Sequence, residues 1–191
     1  MTDSAQPYRR DGDTTLIEIK LNTLTQVFNS LDPSPFHERD LDADAETYIV
    51  EAARELPLAE PLKLVFHLPA DHLDQAAIAG LDHAIHNYFA YRAEAARREL
   101  RFTLRQGRTA LAIGLGFLLG CMLARQVVAT LGHGAMAAAL AEGLLILGWV
   151  AMWRPIQIFL YDWWPIRNRA RLYAKLAATP VEARAWPPPI P

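Results

Sequence analysis

The chain has 191 residues, of which 52% are hydrophobic and 21% charged, with a formal net charge of −2 and a mean hydropathy of +0.05. Its single cysteine, Cys121, excludes a disulfide scaffold and a cysteine-rich zinc site. The averages conceal two unlike halves: residues 1–90 hold 16 acids and 6 bases, net −10, whereas residues 91–191 hold 5 acids and 13 bases, net +8. Between Thr109 and Trp153 only Arg125 and Glu142 are charged at neutral pH, so the charge lies almost wholly outside one long apolar block. That pattern predicts an α+β membrane protein with a small cytoplasmic α/β domain, a long amphipathic helix continuing into a two-helix transmembrane hairpin, and an interfacial C-terminal helix.

In chain order, residues 1–14 are polar, lack the apolar core of a secretory signal and are expected to be disordered. Residues 15–70 form the expected α/β domain. Ile17, Ile19 and Leu21 alternate with Glu18 and Lys20, the period of a half-buried strand, and Leu62, Leu64, Phe66 and Leu68 repeat it up to Pro69, which marks the second strand as its sheet partner. Between them a short helix is expected over 24–31, ended by the prolines at 33 and 35, and a second begins at Asp42 as N-cap. Asp44 and Glu46 there suit the positive helix end, and Tyr48, Ile49, Ala52, Ala53 and Leu56 recur at helical spacing. Two strands and two helices are close to the lower size limit for an independent core, so this domain is expected to lean on the next helix or on another copy.

Residues 71–108 read as a long helix, capped by Asp71 with Asp74 three residues on, and striped by Leu73, Ile78, Leu81, Ile85, Tyr88 and Phe89. No proline separates it from the first span, and Gly107 is the expected bend if there is one. Residues 109–131 and 135–153 are long enough, at about 34 and 28 Å of helix, to cross a bilayer. The turn 132–134, Gly-His-Gly, only reverses the chain, so the two helices are antiparallel neighbours. Arginines at 92, 97, 98, 101, 105 and 108 precede the first span, and Arg154, Arg167, Arg169, Arg171 and Lys175 follow the second. The positive-inside rule therefore places both termini in the cytoplasm. Trp149, Trp153, Trp163 and Trp164 gather where the second span should leave the hydrocarbon and read as interfacial anchors. They open a basic interfacial segment over 154–178, ahead of a proline-rich tail over 179–191.

Several residues invite a functional reading. Arg125 and Glu142 reach similar depths, roughly 10–12 Å below the turn, and are expected to pair, either as a salt bridge fixing hairpin register or as part of an ion path or partner contact. Gly116 with Gly120, and Ala139 with Gly143, are small-xxx-small pairs for close helix approach, within the hairpin or between copies. The loop holding Asp32, Ser34, Phe36, His37, Glu38, Arg39 and Asp40 is the candidate interaction loop. Its Ser, His and Asp are too close in sequence for a triad, so no enzyme activity is expected. His83 and His86 lack the companions of a metal site, and Gly114, Gly116 and Gly120 have the wrong spacing for a dinucleotide loop, so neither metal nor cofactor is expected. The arginines at 97–108 adjoin a span and point to anionic lipid headgroups rather than to nucleic acid.

Phe28-Asn29-Ser30-Leu31-Asp32-Pro33-Ser34-Pro35-Phe36-His37-Glu38-Arg39-Asp40-Leu41-Asp42, with Ala84-Ile85-His86-Asn87-Tyr88-Phe89 and the run from Leu147 to Pro155, resembles a family of uncharacterised bacterial membrane proteins over most of the chain. The resemblance implies a bacterial inner-membrane setting and assigns no activity or functional residue. The expected role is a membrane-anchored interaction module, a homo-oligomer or an accessory subunit of a larger membrane complex. The alternative is a small oligomeric channel or transporter subunit using Arg125 and Glu142.

Overall fold

The computed structural model describes residues 8–28, 40–70 and 75–185; the expected cap at Asp71 and Asp74 and the end of the proline-rich tail, 186–191, lie outside them. The elements run β1 (Arg10–Asp11), β2 (Thr14–Lys20), a 3-10 turn (Leu24–Val27), α1 (Ala43–Glu55), β3 (Leu62–Leu68), α2 (Gln75–Leu131), α3 (Ala135–Ala151), α4 (Trp153–Gln157), a π-helical turn (Ile158–Asp162), α5 (Trp163–Leu176) and β4 (Val181–Ala185). They fall into two compact units, one of Met1–Ala95 with Arg169–Pro191 and one of Ala96–Asn168.

In the first unit the two expected strands do pair, in parallel, within a four-stranded sheet of order β1-β2-β3-β4. Both β2–β3 and β3–β4 are parallel, and their crossovers contain the helices, so the right-handed crossover rule puts those helices on one face. Burial agrees. On the covered face Thr15, Ile17, Leu62, Leu64, Phe66 and Leu68 are buried, as are Ile49 and Ala53 of α1, Leu81, Ile85 and Phe89 of α2, and Leu172, Tyr173 and Leu176 of α5. Asp42 caps α1 as expected, its carboxylate accepting from the Asp44 N–H at 3.0 Å.

Three boundaries differ from the sequence expectation. Part of the disordered stretch expected over 1–14 is instead a hairpin. Arg10 and Asp11 pair antiparallel with Thr15 and Thr14 around Gly12-Asp13, and Gly12 takes the positive φ of 62° that such a two-residue turn requires. The helix expected over 24–31 shrinks to the 3-10 turn, because Phe28 is already extended and bridges Leu41. The tail expected over 179–191 begins as β4, whose Val181, Ala183 and Ala185 are in register with Leu64, Phe66 and Leu68 on the covered face.

The basic segment over 154–178 is a helical run whose last turns, from Arg169, belong to the folded unit, with Ala170, Leu172, Tyr173 and Leu176 buried. A polar cluster ties it down. Glu46 of α1 receives Arg92 Nη2 at 2.6 Å, the Tyr88 hydroxyl at 2.8 Å and the Tyr173 hydroxyl at 3.4 Å, and the Arg92 guanidinium lies 5.4 Å from the Tyr173 ring centroid. His86 Nε2–H donates to the Thr179 carbonyl at 2.7 Å, just before β4.

The second unit is the hairpin. Helix α2 is unbroken over 57 residues and passes Gly107 without interruption, so the long stem and the first span are one helix. Two helical runs, Gly80–Leu131 and Ala135–Leu176, are long and apolar enough to cross a membrane. Only 11% of each apolar window is buried, unlike the core helix of a water-soluble domain. The seam between the arms is built on Gly107, Gly114 and Cys121, seven residues apart, the repeat of a left-handed helical pair. A Cβ at Gly107 would meet Ile158 Cγ2 at 2.7 Å, and one at Gly148 would meet Leu118 Cδ1 at 2.8 Å and Cys121 Cβ at 3.2 Å. At Gly114 it would meet the Ala151 carbonyl oxygen at 2.9 Å. That oxygen is the one Pro155 leaves without its helical donor, so Gly114 lets the partner helix approach the proline break closely.

Gly114→Val is accordingly expected to wedge the arms apart at a cost of about 1–3 kcal/mol. A lower melting temperature in detergent for Gly114→Val but not for Gly116→Val, whose Cβ would meet nothing within 4 Å, is the check.

Candidate functional site

The sheet face opposite the helices carries the buried Leu16 and Val65 and, around them, charged residues that gather at the carboxyl end. Register places Lys20, His67 and Arg184 side by side on β2, β3 and β4, with Glu18, Val65 and Glu182 as the row behind them. This is the carboxyl end of three parallel strands, where open α/β sheets commonly hold ligands. Arg9, Glu18, Lys20, Tyr48, His67 and Arg184 line an open cavity of about 900 Å³ there.

Local chemistry fixes these groups. Glu18 Oε1 accepts from His67 Nε2–H at 2.9 Å and lies 3.6 Å from Arg9 Nη1. The Tyr48 hydroxyl donates to the Glu18 carbonyl at 3.2 Å, along the edge of β2 beyond the short β1. Arg184 grips the Glu182 carboxylate with Nε at 2.7 Å and Nη2 at 3.1 Å, and Lys63 Nζ approaches the same carboxylate at 3.3 Å. The hydrogen bonds from Arg184 hold the Glu182 carboxyl below its ordinary range, and Glu60 is lowered as well, first by the Thr15 hydroxyl and then by Arg10. His67 Nδ1 is buried and has no hydrogen-bond partner among the described residues. Among the described residues the lining carries no serine, threonine or cysteine.

The lowered carboxyls make the first unit acid-labile in a defined window. Their stabilisation is present above the ordinary carboxyl value of 4.5 and is lost as pH falls through the lower folded values. Thermal melts are expected to be flat from neutral pH to about 5 and to fall below 4.5, with a shallower fall in Glu182→Gln.

Of the residues singled out from the sequence, Asp32, Ser34, Phe36, His37, Glu38 and Arg39 lie outside the described residues. Asp40 is described and exposed, near the acidic start of α1. Gly116, Gly120 and Gly143 meet nothing within 4 Å of an added Cβ and Ala139 is exposed, so these four do not form the seam within the hairpin; the glycines at 107, 114, 132 and 148 do.

Arg125 and Glu142 are both exposed on the hairpin and make no ion pair among the described residues, which corrects the expected intramolecular bridge. Register is instead set by the close contacts of the seam. Trp149, Trp153 and Trp164 are 61%, 72% and 58% exposed, as membrane-facing rings would be, while Trp163 is half-buried and donates from Nε1 to the Phe159 carbonyl at 2.7 Å.

The cavity residues were not singled out from the sequence. Their signal was the alternation of charged with apolar residues in 16–21, 62–68 and 181–185, but only the parallel register brings the three runs together. Comparison with protein-family models, with characterised proteins and with solved structures gives no match to this chain.

Proposed function

We propose that this chain is an integral protein of the bacterial inner membrane. In this reading it anchors an acidic α/β interaction module through a two-span hairpin with both termini cytoplasmic. It works by binding, as a homo-oligomer or as an accessory subunit of a membrane complex. The observation that carries this reading is the single 57-residue α2, which starts in the folded α/β unit and ends in a hairpin whose apolar residues, such as Ile113, Leu123 and Ile146, are 64–70% exposed. Arginines along α2 at 97–108 and the exposed tryptophans supply the headgroup and interfacial contacts such a chain needs.

Extraction from native membranes in nanodiscs, followed by mass measurement, tests it. The expected result is a complex heavier than one 21.4 kDa chain, holding either further copies or a stoichiometric second protein. A bare monomer would count against the interaction role. A cytosolic partner docking on the acidic start of α1 would be basic, and its binding should weaken on charge reversal at Asp40, Asp42 and Asp44.

The exposed, unpaired Arg125 and Glu142 support a second reading, an oligomeric channel or transporter subunit in which these charges line a path. Reconstituted liposomes are then expected to pass ions, with the flux altered by Glu142→Gln.

A further inference from the structure

We propose that the cationic row at the carboxyl end of the sheet is a binding site for a small diphosphate-bearing molecule, a function beyond membrane anchoring. The first half of the chain is net −10, yet this cavity is lined by Arg9, Lys20, His67 and Arg184 with Glu18, while Glu182 and Asp11 (3.6 Å from Arg184 Nη2) lie against Arg184 from outside the lining. The acids nearby act as holders. Glu182 takes Nε and Nη2 of Arg184, which fixes the guanidinium plane and leaves Nη1 without a partner among the described residues. Glu18 takes Nε2 of His67, a ring only 12% exposed, and leaves Nδ1 unpartnered. A polar ligand atom at Nδ1 would satisfy a buried group that has no partner among the described residues. Arg9 is 79% exposed and holds Glu18 at 3.6 Å through Nη1 alone, so its remaining donors are available at the mouth.

The size of the row selects the anion. Neighbouring strands lie about 4.8 Å apart, so the row from Lys20 to Arg184 spans roughly 10 Å. One phosphate or carboxylate reaches two adjacent members of it, whereas two linked phosphoryl groups reach all three. A cavity of about 900 Å³ has room for an organic group beyond the diphosphate. Such a diphosphate is available either as a soluble metabolite or as the head of a prenyl-type lipid, and the shared chemistry is what the row recognises.

The test is calorimetric titration of inorganic pyrophosphate into the full chain in phosphatidylcholine nanodiscs. Saturable binding with Kd below about 1 mM is expected, and Arg184→Gln and Arg9→Gln should each weaken it about tenfold or more, the usual worth of a charge-assisted hydrogen bond. Arg98→Gln, in the other unit, should leave it unchanged. Arg9 is exposed enough that its substitution leaves folding intact, which circular dichroism would verify. No heat up to 10 mM pyrophosphate, or a Kd indifferent to both arginine substitutions, overturns the proposal. Repeating the titration with farnesyl diphosphate in the disc separates the sources: competition identifies a lipid diphosphate, and indifference with retained pyrophosphate binding identifies a soluble one.

Discussion

Phe89→Ala is expected to cost about 3–5 kcal/mol and to release the C-terminal strand from the sheet. Phe89 is fully buried on α2, meets Tyr88 edge-on at 5.4 Å and stacks on Tyr173 of α5 at 6.1 Å. Apart from Val181, strand β4 is built of alanines and charged residues with little strand preference, so its place beside β3 depends on the helix that delivers it. A cavity at 89 loosens Tyr173, and with it the Glu46–Arg92–Tyr88 cluster that ties α5 to α1 and α2. Because small units have total stabilities of about 5–15 kcal/mol, a loss of this size is a large fraction of the whole. Hydrogen exchange should show the amides of 181–185 losing protection before those of β2. Equal loss in both strands would mean that β4 is not the weakly held element.

If the chain assembles with copies of itself as proposed, Glu142→Lys is expected to dissociate the assembly, and Arg125→Glu combined with Glu142→Lys to restore it. A charge facing lipid costs about 2.5–3.5 kcal/mol near the bilayer centre, and among the described residues Arg125 and Glu142 make no ion pair. In a homo-oligomer one way to offset both costs is pairing between copies, Arg125 of one with Glu142 of the next. Losing that pairing should raise the dissociation constant roughly a hundredfold. Native mass measurements in nanodiscs read the effect directly. Rescue by the swapped pair identifies another copy as the partner, whereas failure of rescue with retained folding transfers the contact to a different protein.

The helical half of the molecule was legible because hydrophobic length and charge flanks are strong local signals. Thr109 to Leu131 and Ala135 to Trp153 are apolar at a length only a bilayer or a large core requires, and Gly-His-Gly leaves no alternative to a tight reversal. The strands β2 and β3 were legible for the same reason, through the alternation around Glu18 and Lys20 and the apolar face of 62–68. The hairpin β1–β2 carried a usable signal in Asp11-Gly12, obscured by the polar residues around it.

Strand β4 was not legible, because Val-Glu-Ala-Arg-Ala holds one strand-favouring residue, Val181, among helix formers and follows a helix more than 100 residues after its neighbour in the sheet. Without β4 the basic row could not be foreseen, since Arg184 reaches His67 and Lys20 only through that pairing. The hairpin seam was not legible on similar grounds. The four-residue spacing of Gly116 and Gly120 drew notice, whereas the seven-residue spacing of Gly107, Gly114 and Cys121, with a proline-freed carbonyl opposite Gly114, is what the packing uses.

Single-cysteine labelling in a Cys121→Ala background tests membrane insertion and orientation most directly. In spheroplasts an impermeant maleimide is expected to label His133→Cys, in the turn between α2 and α3, and to label Asp44→Cys, at the start of α1, only after the membrane is permeabilised. The chain should also stay with the membrane pellet through an alkaline carbonate wash. Release by carbonate, or equal labelling of the two cysteines before permeabilisation, would contradict a two-span anchor with its α/β unit in the cytoplasm.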